Sequence, residues 1–562
     1  VRAALLLLLA AVLLFPAAGR APLERAEIYF VDAARAMVES GDWLVPRYRG
    51  EPFFDKPALT YWLIAAAFEG FGPTLAAARA VPALAALATI LTTALLGRRL
   101  FGEARGLTAG LLLASTLAFT SFGRVAMSDM LLALWTAAAM ALAAVREPPP
   151  LWRPVALGAV LGLGFLTKGP IALLLAGSGM LLLLARGGAA AWRGKPLAIP
   201  LGTAAFAVVG LGWFALLYER LGPQPLAHFF LRENLERFAG ATYDSGRAPW
   251  FYAVTYLAEG LPWSCFLPLA IVRLVRERRR DEGAAARLLA LWLALMAVPL
   301  SLARGKIDYY LLPVYPVAAL IVADYLHASW SRAERAAARL VLLATALACV
   351  AAATWWGRLP PAWLPAPGVW RALQALAVLL AALLVAAALR FSQPRLVAAL
   401  AGAAAATFLA GAAVAVPAFR AAQPNAAIIA DVSRELQFQP EAGFVYCDDP
   451  TRVERDLLFE ARIAAIERCD LWSPAASRLP FLLLLRKSER GGLLQLPEIR
   501  HVGEYRFVPA TALTLTGLSA GVAADDLVLL ANYWTADPEA DSRFKRLRRR
   551  MIRERQQAGV RR

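Results

Sequence analysis

The residues able to do chemistry lie in short polar clusters set between apolar runs. The first is Glu24-Arg25-Ala26-Glu27-Ile28-Tyr29-Phe30-Val31-Asp32-Ala33-Ala34-Arg35-Ala36-Met37. Ile28, Val31, Ala34 and Met37 recur at helical spacing, which predicts a helix with one apolar face, suited to a membrane interface. Glu27 sits at its start; taken alone it is an acidic first turn favoured by the helix dipole. Further on come Gly41-Asp42-Trp43-Leu44-Val45-Pro46-Arg47 and then Phe53-Phe54-Asp55-Lys56-Pro57-Ala58-Leu59-Thr60-Tyr61-Trp62. A carboxylate beside an ammonium, fenced by aromatics and a proline, can hold a phosphate headgroup directly or through a metal ion. The competing reading is a local ion pair that anchors the next helix. Three later clusters follow: Arg124-Val125-Ala126-Met127-Ser128-Asp129, Thr167-Lys168-Gly169-Pro170, and Arg304-Gly305-Lys306-Ile307-Asp308-Tyr309-Tyr310-Leu311-Leu312-Pro313. One charge at the edge of a span is often only a snorkelling anchor. Several such clusters on one face argue for a site.

The elements that must position these residues are membrane helices. Of 562 residues 59% are hydrophobic and 18% charged, against roughly 45–50% and about 25% in soluble proteins, so an ordinary soluble enzyme is excluded. The net charge of +18 would by habit suggest nucleic acid, but its distribution does not. Thirteen apolar runs are candidate spans of a bilayer about 30 Å thick: 3–18, 74–96, 107–123, 128–145, 154–167, 170–185, 197–217, 250–272, 288–303, 309–326, 340–357, 372–389 and 396–417. The first is read as a crossing, with a leader ending near Pro16-Ala17-Ala18-Gly19 as the alternative; the Val1 start leaves room for residues upstream. Loops 97–106, 146–153, 186–195, 273–287, 327–339 and 390–395, with Arg2, hold 20 Lys/Arg and 6 Asp/Glu, and these should be cytoplasmic. The stretch 543–562 adds +9, leaving a balance of −5 for the remainder. The loops at 19–73 and 219–249, and everything after Val416, then fall outside, and so does the expected chemistry.

After Phe419 the pattern changes. Strand-like runs at Gly443–Cys447, Phe481–Leu485 and Leu527–Ala531 are bounded by Asp, Pro and Gly. The expected fold is therefore an all-α polytopic membrane domain of about 13 transmembrane helices over 1–418, with interfacial helices in the first external loop. A small soluble α/β domain follows over 419–542, and then a basic tail, 543–562. Cys447 and Cys469 could pair outside the cell or stay as buried thiols, whereas Cys265 and Cys349 fall in spans. In the tail Phe544, Leu547 and Met551 recur among arginines, so it is either an amphipathic helix on anionic lipid or a solvated tail.

In order and topological position, SGDWLVP, FDKPALTYWL, the second-loop Asp129, GLGFLTKGP, ENLERF, PWFY, LPWS and GKIDYYLLPVYP resemble the polytopic GT-C glycosyltransferases that use lipid-linked sugars. More narrowly they are similar to the group of lipid A aminoarabinose transferases and protein O-mannosyltransferases. The match covers about residues 20–320.

The resemblance implies an inverting glycosyltransferase in the bacterial inner membrane. A sugar passes from a polyprenyl phosphate to a hydroxyl on a lipid, glycan or protein at the outer face. Phosphate is a good leaving group, so the enzyme needs cations around it and a carboxylate to take the acceptor's proton. Glu27 matches the second acid of the family's Asp-Glu pair, with Ala26 in place of the first; Glu27 or Asp129 is then the catalytic base. Asp55 and Lys56 match the donor-phosphate and metal motif, Asp55 being the candidate ligand for a divalent metal ion. Lys306 and Tyr309 align with a later Lys/His motif that also brings in Tyr310. Arg47 and Lys168 join the substrate-binding set. Arg237 and Arg247 suit phosphate oxygens by their forked guanidinium. No His precedes the Pro-x-Trp segment, and His228 is the nearest substitute. Partners implied are the donor, the acceptor and membrane lipids, without nucleic acid. A non-catalytic member of the fold stays open because of Ala26, and a transporter or flippase is the other alternative. A transporter would place ionisable groups near the bilayer midplane, where this chain has mostly Leu and Ala.

Overall fold

The computed structural model describes residues 2–16, 19, 26–144, 150–185, 196–239, 246–276, 284–356, 367–389, 393–410, 425–438, 443–446, 466–468, 481–486, 499–505 and 527–532. Two compact units are present. The first comprises Val1–Arg20, Tyr29–Gly357 and Arg371–Ala415, and the second Ala21–Ile28, Arg358–Trp370 and Val416–Arg562.

The first unit is a multi-pass bundle. Leu75–Phe101, Ala198–Leu221 and Ala284–Leu302 are each long and apolar enough to cross a membrane, and shorter apolar helices such as Asp129–Ala143 and Val314–His327 pack among them. Leucines such as Leu181, Leu216 and Leu347 remain exposed on its outside, as expected of a surface solvated by lipid. Small residues set the closest crossings. Gly158 faces Gly202 and Gly162 faces Gly210, where the helix Trp152–Lys168 meets Ala198–Leu221 backbone to backbone.

Two runs expected to cross as single helices are broken. The 107–123 run divides into Glu103–Ala114 and Leu117–Phe122, and the 250–272 run into Phe251–Glu259 and Phe266–Arg276. At the first break the Ser115 and Thr116 hydroxyls bond back to the Leu111 and Leu112 carbonyls. At the second, Pro262 has no N–H to donate. Backbone groups freed inside an apolar bundle must find partners, and these breaks supply one another. Leu117 N–H donates to the Leu261 carbonyl at 3.1 Å, and Trp263 Nε1 donates to Ser115 Oγ at 3.0 Å. The helix Leu59–Phe71, 13 residues, is apolar as well; it lies between the expected spans.

In the first long loop, the helix Glu27–Ser40 buries Ile28, Val31, Ala34 and Met37, the stripe read from the sequence. A short antiparallel hairpin follows, β1 (Arg47–Tyr48) and β2 (Glu51–Pro52). Its turn holds Arg49 at φ 53° beside Gly50 at 82°. Asp32 secures it, accepting from Arg49 N–H at 2.9 Å and from Arg35 Nη2 at 2.5 Å. Burial pushes the Asp32 carboxyl above its ordinary value, outweighing the Arg49 N–H and the Arg35 guanidinium.

In the second unit the helix Asn425–Phe438 accompanies five strands: β3 (Gly443–Tyr446), β4 (Ile466–Arg468), β5 (Phe481–Arg486), β6 (Ile499–Tyr505) and β7 (Leu527–Asn532). Their order is β4-β3-β5-β7-β6; β3 is parallel to β4 and β5, while β7 is antiparallel to β5 and β6. Leu482 and Leu484, on one face of the central strand, are buried. Cys447, Cys469 and the basic tail 543–562 lie outside the described residues.

Candidate active site

A cavity of about 470 Å³ opens in the first unit. Its polar end carries Asp55, Lys56, Lys168, Glu233, Arg237 and Tyr310, and its apolar walls include Leu132, Ile171, Leu174, Phe230 and Leu300.

The first polar group forms around Asp55-Lys56, just before the helix Leu59–Phe71. Lys56 Nζ lies 3.3 Å from Glu233 Oε2, and Arg237 Nη1 lies 2.8 Å from the same oxygen. Glu233 is buried, and a buried carboxylate needs such partners. His228 Nε2 is 3.0 Å from Asp55 Oδ1. The backbone of His228–Glu236 is π-helical. One π turn brings residues five apart onto one face, so His228 and Glu233 both address Asp55, which an α-helix would prevent. Ligand atoms of Asp55, His228 and Glu233 all fall within 4.8 Å of one another, a set able to hold a metal ion. Imidazole with carboxylates suits zinc or a similar divalent ion. Glu233 Oε2 is already engaged by two cations, so its share would come from the other oxygen.

The second group pairs residues 39 apart in sequence. Asp129 opens the helix Asp129–Ala143, and Lys168 ends the helix Trp152–Lys168. Lys168 Nζ donates to Asp129 Oδ1, and it also sits 4.1 Å from the centre of the Tyr310 ring. Trp135 Nε1 donates to Thr167 Oγ1 at 3.0 Å and fixes the two helices at this level. The chain then turns at Gly169, φ 73°, where a Cβ would stand 2.5 Å from the Phe229 ring. Only glycine satisfies both the turn and the contact. Lys168 borders the cavity while Asp129 stands behind it.

Each of the remaining residues singled out from the sequence has its own local setting. Tyr310 borders the cavity; Tyr309 turns toward Phe122, with ring centroids 5.9 Å apart. Lys306 is buried and donates to the Ala303 carbonyl at 2.6 Å. Arg247 donates to the Lys306 carbonyl at 3.0 Å and stacks over Phe251 at 4.4 Å. Arg47 lies on the hairpin, bonded to the Gly50 carbonyl at 3.2 Å. Glu27 is fully buried at the head of its helix. Glu233 and Tyr252 stand inside the ENLERF and PWFY motifs, but sequence reasoning gave neither a role. Glu233 stands four residues before Arg237, a helical pair spacing, but nothing local points it at Lys56, 177 residues away.

Residues 55–213 match the dolichyl-phosphate-mannose-protein mannosyltransferase family. The chain is 32% identical over 346 residues to the undecaprenyl phosphate-alpha-4-amino-4-deoxy-L-arabinose arabinosyl transferase 2 of Sodalis glossinidius (strain morsitans), covering 60% of this chain and 62% of that one. It is 33% identical over 313 residues to the corresponding transferase of Pseudomonas aeruginosa (strain UCBPP-PA14), covering 52% and 54%. The chain thus spans less than two thirds of the length of these relatives. The crystal structure of ArnT from Cupriavidus metallidurans bound to undecaprenyl phosphate superposes with a TM-score of 0.72 at 20% identity, over 95% of this chain and 99% of that one. Its apo form gives 0.70 at 19% identity, over 94% and 97%. The chain has the fold of that ArnT structure. Within it, the family match takes in Asp55, Lys56, Asp129 and Lys168 and ends before Glu233, Arg237 and Tyr310. The cavity is therefore lined in this chain by residues from two stretches, one inside the matched segment and one beyond it.

Proposed function

We propose that this protein is an inverting glycosyltransferase that moves a sugar from a polyprenyl phosphate to an acceptor hydroxyl at the outer face of a bacterial inner membrane. The observation that carries this is the two-sided cavity, with Lys56, Lys168 and Arg237 at one end and an apolar wall along the rest. A phosphate on a long hydrocarbon chain matches both halves. The relatives' names specify undecaprenyl phosphate and an amino pentose; the carrier and the lipid-linked pentose donor are taken over here as part of the proposal.

The chain's own residues supply the work. Arg237 and Lys56 share the charge of Glu233, which holds both at the phosphate end without cancelling them. Lys168 adds a third cation, kept in place by Asp129 and the Tyr310 ring. As the glycosidic C–O bond breaks, charge grows on the departing phosphate, and preorganised cations in a dry site stabilise that growth. A metal held by Asp55 and His228, with Glu233, would add positive charge beside the same phosphate. Asp129 has one oxygen committed to Lys168 and stands behind the cavity wall, which favours a positioning role for it. Glu27 remains the candidate to take the acceptor's proton on the sequence resemblance alone, since it does not line the cavity either.

The charge balance of the loops puts the cavity end of the bundle outside, with the division 1–418, 419–542 and 543–562 and an external α/β domain formed around the five strands. The test is reconstitution of the full chain in proteoliposomes with an undecaprenyl-phosphate-linked sugar. The expected result is transfer to added glycolipid with release of undecaprenyl phosphate. Uptake of a substrate without any glycosylated product would overturn the reading in favour of a transporter, and neither activity would leave a non-catalytic member of the fold.

A further inference from the structure

Tyr252 borders the cavity with its hydrogen bonding half complete. It is the second residue of the helix Phe251–Glu259 and is 3% exposed. Its hydroxyl oxygen accepts from Ile307 N–H at 3.2 Å. The carbonyl of the same peptide unit, that of Lys306, accepts from Arg247 Nη1 at 3.0 Å. The segment that opens this helix therefore grips both polar groups of one peptide, where Ile307 is extended, φ −138° and ψ 141°, ahead of the 3-10 turn Asp308–Leu311. Phe251 meets the Tyr252 ring edge-on with centroids 5.2 Å apart, and the Arg247 guanidinium covers Phe251 at 4.4 Å. The phenol oxygen is thus held in one place by a backbone donor. A hydroxyl donates as well as accepts, and among the described residues none takes the Tyr252 proton. Electrostatically the hydroxyl senses Tyr310, which borders the same cavity, and Asp129 behind its wall. A buried donor left unmet costs free energy, and an oxygen already bonded to Ile307 N–H can turn its proton only away from that peptide.

We propose that Tyr252 is a further substrate-binding residue, whose hydroxyl donates its unspent proton to an oxygen of the lipid-linked donor inside the cavity. This rests on the transferase reading and adds to it a neutral, directed donor. Lys56, Lys168 and Arg237 supply charge at the polar end, which attracts an anion from many directions. A phenol whose oxygen is fixed accepts a partner along one direction only. Two parts of the donor carry a suitable acceptor, a phosphate oxygen and a sugar oxygen.

The test measures binding of two probes to the full chain in nanodiscs: undecaprenyl phosphate, and the same carrier linked to the amino pentose. Tyr252→Phe should weaken binding about two- to tenfold, the share of one neutral hydrogen bond. Equal weakening for both probes assigns the proton to the phosphate; weakening for the sugar-linked probe alone assigns it to the sugar. Tyr252→Phe also strips Ile307 N–H of its acceptor, so a second variant separates the two bonds. 3-Fluorotyrosine placed at Tyr252 keeps the hydroxyl but makes it a stronger donor and a weaker acceptor. A donor role predicts tighter binding than wild type for every probe that Tyr252→Phe weakens, whereas a merely structural role predicts weaker binding. Wild-type binding combined with any other pattern in the two variants overturns the assignment of Tyr252 alone. A wild-type chain that binds neither probe refutes the transferase reading itself, and this proposal with it.

Discussion

Asp129 and Lys168 allow the roles of proton acceptor and positioning residue to be separated by measurement. Their side chains are 5% and 11% exposed, so the pair is buried, and removing one partner of a buried pair costs about 3–5 kcal/mol because the other charge is left uncompensated. Asp129→Asn therefore withdraws the anchor from Lys168 at the cavity wall. Lys168→Met removes the cation itself. Loss of one preorganised charge at a developing anion lowers a rate by roughly 10²–10³, and each single variant should fall in that range when sugar transfer is assayed in proteoliposomes at equal amounts of folded protein. If Asp129 acts only through Lys168, its loss adds nothing once Lys168 is gone, and the double variant should match Lys168→Met within about threefold, the signature of coupled residues. Losses that multiply in the double variant, to about 10⁴ or beyond, would refute this and make Asp129 an independent base.

Further outcomes follow from the same geometry. Glu27→Gln and Lys56→Ala should each abolish transfer while the protein remains in the membrane at wild-type levels; full activity of both in the reconstituted assay would remove the assignment. Asp55→Asn with His228→Ala should strip bound divalent metal from purified protein, read by elemental analysis, and an unchanged metal content would place the ion elsewhere. Gly158→Ala puts a Cβ 1.9 Å from the Gly202 carbonyl oxygen; the helices must part, at a cost of about 1–3 kcal/mol, seen as a lower midpoint in thermal denaturation. Around Asp42, burial opposes ionisation, but the Arg220 guanidinium and the Leu44 and Val45 N–H groups outweigh it and hold the carboxyl below its ordinary value of 3.8. Its stabilising share is thus present above that value and lost as pH falls through the depressed one, so Asp42→Asn should flatten the acid limb of a stability profile.

The clusters carrying Asp55-Lys56, Asp129, Lys168 and Tyr310 were legible because polar residues are rare in this composition, and each stands at the end of an apolar run. The stripe Ile28, Val31, Ala34 and Met37 was legible because burial of a helix face follows its 3.6-residue period. Continuous crossings at 107–123 and 250–272 were a reasonable expectation from hydropathy alone, which records the apolar character of a run and not where its hydrogen bonds go. Ser115 and Pro262 weaken each helix locally, yet the breaks persist because Leu117, Leu261 and Trp263 complete each other's bonds across the bundle.

By itself, the sequence determined a membrane bundle and a short roster of charged residues at the ends of its apolar runs, since the partition of apolar and charged side chains between lipid and water depends on residue type and local spacing. The tertiary structure decided which of those charges share a cavity. Lys56 meets Glu233 across 177 residues and Lys168 meets Asp129 across 39, whereas Arg47 and Lys306 spend their donors on nearby carbonyls. A buried charge takes the partner that the packing brings within a few ångströms, and that distance is fixed by how the helices cross.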